Sequence, residues 1–202
     1  MEIQEEDIGI CLKQDVRWEE GRKLSFTERQ ELSHRLLRLS AAAWLKERGQ
    51  EEETQDWTLA GGRYGKPFFA EHPHIHFSIS HSGSVWCCAF GSSPVGLDVQ
   101  AHRLKGERQR IADRFFHPAE RDWIRKGGDF FAVWAAKESY VKYTGEGMRR
   151  AFSDFAVADE NGMLSCVRTA DSDAQLRLLP APGAYSLCLC AKRIGKVTFF
   201  HI

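Results

Sequence analysis

The sequence predicts an α+β fold of two halves, each a small, largely antiparallel sheet carrying a long helix. Three observations point to it. A capped amphipathic helix precedes a run of short β-type segments, a longer helical stretch precedes a second such run, and Ser92–Val95, with its proline, divides the two. The 202 residues then separate into an N-terminal half at 1–93 and a C-terminal half at 94–202. Each is close to the ~100 residues that can close a core of their own.

The first helix spans about Ser25 to Arg48. Ser25 and Glu28 form an S-x-x-E capping box, in which each side chain satisfies a backbone N–H left open by the first turn. Leu32, Leu36, Leu39 and Ala43 return on one helical face, and Gly49 supplies a stop. The stretch AGGRYGKPFF, with its glycines and proline, reads as a loop. Two β-type runs follow, His76–Ile79 and Val85–Phe90, joined by the polar turn SHSGS; the apolar VGLDV is a further strand. From Glu107 to Tyr143 the pattern is helical, broken into two or three helices by Pro118 and Gly127–Gly128. Strands return at Phe152–Ala158, Tyr185–Ala191 and Lys196–Phe200. Aromatic pairs such as Phe115–Phe116 read as core, with part of that set free to face another protein.

Composition narrows the function. Lysine plus arginine and aspartate plus glutamate number 28 each, so the formal net charge is zero. That argues against binding nucleic acid by broad phosphate neutralisation, yet leaves room for a local basic pocket for a small phosphorylated ligand. The acidic start, MEIQEEDIGICLKQD, lacks the basic-then-apolar order of a signal peptide. No apolar run approaches the ~20 residues of a bilayer span. A soluble, intracellular protein is expected. The six cysteines (Cys11, Cys87, Cys88, Cys166, Cys188, Cys190) include no CxxC pair. Cys188 and Cys190 alternate on one strand face and read, like the rest, as reduced buried thiols.

Chemistry concentrates at two places. In VGLDVQ, Asp98 sits inside an apolar strand, where an ionised carboxylate needs a partner or a cation. Gln100 shares its face, so both oxygens could address one ion. The plainer reading is an Asp that caps a turn at the strand end. In WAAKESYVKYTGEGM, Asp129 or the glycines before it open a helix carrying Lys137, Glu138 and Lys142 among aromatic and small apolar residues. Glu138 and Lys142 could be an ordinary surface pair, but a helix this apolar should be buried, and its charges then need a metal or a phosphate. Two carboxylates on separate elements suit Mg²⁺ with substrate phosphates, and lysines suit the phosphates. The pattern points to metal-assisted phosphoryl-type transfer.

GRYGKPFF, FSISHSG, VGLDVQ, RFFHPAE and WAAKESYVKYTGEGM stand in the order and approximate spacing of the Sfp-type 4′-phosphopantetheinyl transferases, which residues 61–150 resemble. The WxxKES form resembles the larger, monomeric branch, whose two similar subdomains have a pseudo-twofold relation. The resemblance implies a cytoplasmic, Mg²⁺-dependent enzyme. It would move the 4′-phosphopantetheine arm of coenzyme A to a serine of an apo acyl or peptidyl carrier protein, releasing adenosine 3′,5′-bisphosphate. No membrane or nucleic-acid partner is implied.

Carried over by motif, Asp98 and Glu138 bind Mg²⁺, while Lys66, Pro67, Ser80 and His81 line the coenzyme A site. Lys137 and Lys142 contact phosphates, and Lys142 also stabilises charge on the departing nucleotide. Glu120 and Glu138 are candidates to accept the serine proton, and Arg35 and Arg38 for further basic contacts. Gln100 departs from the many members that carry an acid there; its amide oxygen, or a water, would complete the metal's ligands.

Two rival readings follow from particular residues. A coenzyme A- and carrier-binding module with weakened catalysis is motivated by Gln100. A zinc site is motivated by the alternating His72, His74 and His76, although Pro73 makes that stretch read as a solvated approach to the strand.

Overall fold

The computed structural model describes residues 7–14, 19–20, 22–103, 106–169 and 174–202. The strands β1 (Ile8–Lys13), β2 (Glu19–Glu20) and β3 (Arg22–Lys23) precede α1 (Phe26–Glu47). Then come β4 (Leu59–Gly61), β5 (Pro67–Phe69), β6 (His76–Ser82), β7 (Val85–Gly91) and β8 (Val95–Ala101). Three helices follow: α2 (Arg108–Phe115), α3 (Pro118–Arg125) and α4 (Phe130–Thr144). The chain ends in β9 (Ala156–Asp159), β10 (Gly162–Arg168), β11 (Gln175–Leu179), β12 (Tyr185–Ala191) and β13 (Val197–Phe200).

The expected α+β class is what forms. One sheet has the order β13-β1-β7-β6 and the other β8-β12-β11-β10-β9. The described ladders are antiparallel except for the β1–β13 pair. Strand alternation sorts the core into layers. Trp86, Cys88 and Phe90 of β7 pack with Leu36, Leu37, Ala41 and Trp44 of α1. Val85, Cys87 and Ala89 point the other way, onto Val95, Leu97 and Val99 of β8 and Leu187 and Leu189 of β12. Cys188 and Cys190 face α4. The order is therefore helix, sheet, sheet, helix, which explains why β7 and β12 are apolar on both faces. Burial of both thiols of β12 agrees with the sequence reading; Cys166 is exposed.

Several boundaries differ from expectation. The capping box of α1 forms as read, but the SHS of the anticipated turn belongs to β6, leaving only Gly83 and Ser84 to reverse the chain. Phe152–Asp154 is a 3-10 turn before β9. The division at 93/94 separates β7 from β8, yet β13 returns to pair in parallel with β1, Ile8 opposite Val197. The end of the chain thus completes the first sheet.

Two local features set the position of the site. Ser78, Ser80 and Ser82 alternate on β6, and their hydroxyls accept from the N–H groups of Leu97, Val99 and Ala101 of β8 at 2.9, 3.1 and 3.0 Å. Side chains thus satisfy three backbone donors at the edge where the sheets meet. On the opposite side of the sheet junction, a Cβ at Gly96 would overlap the Ser139 carbonyl oxygen and the Tyr143 nitrogen. Glycine lets α4 lie against β8 backbone to backbone. That contact holds Glu138 and Lys142 over Asp98.

Candidate functional site

Where the halves meet, a cavity of about 740 Å³ opens. The first half lines it with Tyr64, Lys66, Pro67, Phe77, Ser78 and Ile79. The second contributes Arg114 and Phe115, Trp134, Glu138, Val141 and Lys142 of α4, and a turn that includes Arg150 and Phe152. The α4 positions recur at helical spacing and so share one face. Asp129 starts this helix by accepting from the N–H groups of Phe131 and Ala132 at 2.9 and 3.1 Å, and Gly145, at φ 73°, ends it in the left-handed conformation.

Asp98 is 5% exposed beneath α4. Its Oδ1 accepts from Ser80 Oγ and from Lys142 Nζ, both at 2.7 Å. Its Oδ2 is buried with no hydrogen-bond partner among the described residues. Glu138 has its pKa raised, first by burial and then by the negative charge of Asp98, against the opposing pull of Lys142. Two carboxylates that raise one another's field, one with an orphaned buried oxygen, form a place where a cation is stabilised. Among the described residues no three His, Cys, Asp or Glu side chains converge to hold a metal. Mg²⁺ characteristically takes one or two carboxylates and completes its shell with water and phosphate, so this donor set fits it.

Lys66 Nζ donates to the Val95 carbonyl at 2.9 Å, and burial pulls its pKa down to about 8. Pro67 lines the same wall. His81 follows Ser80 on β6, its pKa lowered by burial, Lys142 and Arg29, with Asp98 opposing. Gln100 is half-buried, and its amide nitrogen donates to the Ala101 carbonyl at 3.1 Å. Arg38 is turned away on α1, donating to the Trp57 carbonyl at 3.0 Å.

Glu120 and Lys137 stand apart from the cavity. Both side chains are fully buried, and they pair at 2.8 Å. Lys137 Nζ also donates to the carbonyls of Phe152 and Phe155 at 2.6 and 2.7 Å. Glu120 accepts from the N–H groups of Val157 and His117 at 2.7 and 3.0 Å. The physical reason is helix phase: Lys137 and Glu138 are adjacent, so they leave α4 about 100° apart, one into the core and one into the cavity. Lys137 therefore ties the cavity wall at Phe152 to α4 instead of reaching the cavity itself. Burial pushes Lys137 down and Glu120 up, each opposed by the other's charge.

Other lining residues escaped the sequence reading. Arg114, Arg150, Tyr64, Trp134 and Phe152 line the cavity, and Phe115 is 47% exposed beside it while Phe116 is buried. The signal for Phe115 was the amphipathic phase of α2; for Arg150 only its closeness to the end of α4 hinted at a role. His72, central to the zinc reading, stacks on Trp57 at 3.9 Å between ring centroids.

Comparison with known proteins bears on the same residues. Positions 94–190, which carry β8 and α4, match the family described as the 4′-phosphopantetheinyl transferase superfamily. The chain is 31% identical over 147 residues to the 4′-phosphopantetheinyl transferase Sfp of Bacillus subtilis (strain 168), covering 69% of this chain and 65% of that protein. It is 34% identical over 136 residues to a 4′-phosphopantetheinyl transferase of Bacillus subtilis, 63% of this chain and 60% of the relative. Over 104 residues it is 38% identical to the 4′-phosphopantetheinyl transferase gsp of Aneurinibacillus migulanus, 48% and 42% of the two chains. The chain thus spans less than two thirds of the length of these relatives. Motif order, the family match and the resemblance across both halves agree: over most of its length the chain is similar to 4′-phosphopantetheinyl transferases.

Proposed function

We propose that this protein transfers the 4′-phosphopantetheine arm of coenzyme A to a serine of an apo acyl or peptidyl carrier protein, in a Mg²⁺-dependent reaction that releases adenosine 3′,5′-bisphosphate. The observation that carries the reading is the buried, orphaned Oδ2 of Asp98, a carboxylate whose charge acts on Glu138, beside a cavity with Lys66 and Lys142 on its walls. Asp98 and Glu138 would hold the ion, with Gln100 or a water beside them. When bound, Mg²⁺ supplies neutralisation of the pyrophosphate charge.

The protein's own groups do the rest. Lys66 and Lys142 bind phosphates, with Pro67 and His81 lining the coenzyme A site, and Lys142 stabilises charge on the leaving nucleotide. The carrier serine's oxygen forms a bond to the phosphorus bearing the arm, and the bond from that phosphorus to the bridging oxygen breaks. Of the two carboxylates considered as proton acceptor, we assign Glu138, which lines the cavity and can take the proton on its free oxygen or through a water; Glu120 is occupied by Lys137. The same reading has the protein act as a cytoplasmic monomer without a membrane or nucleic-acid partner, its zero net charge arguing against broad phosphate neutralisation.

The test is the intact mass of a panel of apo-carriers after incubation with protein, coenzyme A and Mg²⁺. A gain of one arm, lost when the carrier serine is replaced by alanine, is expected; coenzyme A binding without modification by any carrier would favour the weakened binding module instead. A pH prediction accompanies it. Lys66 must be protonated to attract phosphate, and its pKa is about 8. Coenzyme A affinity should therefore fall as pH rises through about 8, and Lys66→Arg, which stays charged, should flatten that fall. Calorimetric titration from pH 7 to 9.5 reads it; an identical pH profile in the two proteins would contradict the role of Lys66.

A further inference from the structure

We infer that Ser80 is a positioning residue, whose hydroxyl fixes the Asp98 carboxylate with Oδ1 turned into the protein and Oδ2 presented to a divalent cation. The inference rests on the proposed metal-assisted reading of the same site. It differs from the role that motif resemblance gives this serine, a direct contact to coenzyme A.

The hydrogen-bond count decides between the two roles. A serine hydroxyl has one proton to donate. That of Ser80 goes to Asp98 Oδ1 at 2.7 Å, while Ser80 Oγ itself accepts from Val99 N–H at 3.1 Å. Ser80 is 5% exposed. Its donor is thus committed inside the protein, to a carboxylate. Lys142 donates to the same Oδ1 at 2.7 Å, while Oδ2 is left buried and without a hydrogen-bond partner among the described residues. Two donors on one oxygen set the rotation of the carboxylate. The Lys142 side chain is 28% exposed, so it can turn toward phosphate when a ligand arrives. Ser80 cannot, and it then holds Asp98 alone. The neighbouring serines provide an internal comparison. Ser82 makes the same kind of bridge, accepting from Ala101 N–H at 3.0 Å.

The experiment titrates Mn²⁺, followed by electron paramagnetic resonance, into the full chain with coenzyme A present. Wild type, Ser80→Ala, Ser80→Thr and Ser82→Ala are compared, with thermal unfolding measured on each. Loss of a group that orients a metal-binding carboxylate weakens affinity by about 10–100-fold, so Ser80→Ala should raise the Mn²⁺ dissociation constant at least about tenfold. Ser80→Thr, which keeps the hydroxyl, should restore most of it. Ser82→Ala should lose stability comparably to Ser80→Ala but leave Mn²⁺ affinity within about twofold of wild type, since it removes a sheet bridge alone. Equal Mn²⁺ affinity in wild type and Ser80→Ala, or equal weakening by Ser82→Ala, would overturn the inference, as would failure of the wild type to bind Mn²⁺. Carrier modification is scored separately: a wild type that binds Mn²⁺ but modifies no carrier contradicts the transfer reading alone.

Discussion

Lys137→Met is expected to be the most destabilising single substitution considered in this protein. It strands Glu120, whose side chain is fully buried, without the ammonium group 2.8 Å away. Breaking a buried ion pair by removing one partner typically costs about 3–5 kcal/mol, a large part of the ~5–15 kcal/mol by which a domain is stable. The carbonyls of Phe152 and Phe155 lose their donor as well, so the cavity wall at Phe152 loosens from α4. Adding Glu120→Gln removes the stranded charge and retains one acceptor oxygen, enough for the Val157 N–H, at the loss of the bond from the His117 N–H. The double variant should therefore unfold at higher urea than Lys137→Met alone. Urea denaturation of wild type, both single variants and the double variant measures this. Simple additivity of the two single losses would show that the pair is not coupled.

Asp98→Ala and Glu138→Ala should each abolish nearly all carrier modification while the protein remains folded. Asp98→Ala frees Lys142 toward solvent, where its partly exposed side chain remains hydrated, and leaves Ser80 to Val99. Because both carboxylates stabilise charge at one reacting centre, their combined loss should be little worse than either alone. Gln100→Ala should cost less than Asp98→Ala, since water replaces a neutral ligand at modest loss. The rate of carrier modification against Mg²⁺ concentration, with near-ultraviolet circular dichroism as the check on folding, separates these outcomes. Wild-type turnover in Asp98→Ala at saturating Mg²⁺ would remove that residue from the site.

Much of this was legible in the chain because it is written in local terms. The Ser25–Glu28 box and the break at Pro118, where α3 starts, are each decided by a few neighbouring residues. Asp98 was conspicuous as a carboxylate in an apolar strand, and burial of 95% of its surface with one orphaned oxygen follows from that placement. What escaped was long-range. β13 pairs with β1 across nearly the whole chain, a choice that nothing in VTFF announces. Ser80 and Ser82 of SHSGS looked like turn chemistry, whereas together with Ser78 they bridge two strand edges. Lys137 and Glu138 could not be told apart by composition, because only the phase of α4 against β8, fixed by Gly96, decides which enters the cavity.

The most direct test of the central claim is the intact mass of an apo-carrier incubated with coenzyme A and Mg²⁺ in the presence of wild type or Asp98→Ala. The account predicts a gain of one phosphopantetheine arm on the carrier serine with wild type, suppressed by metal chelation and absent with Asp98→Ala. An equal gain with both proteins, or a gain that survives chelation, would contradict the account.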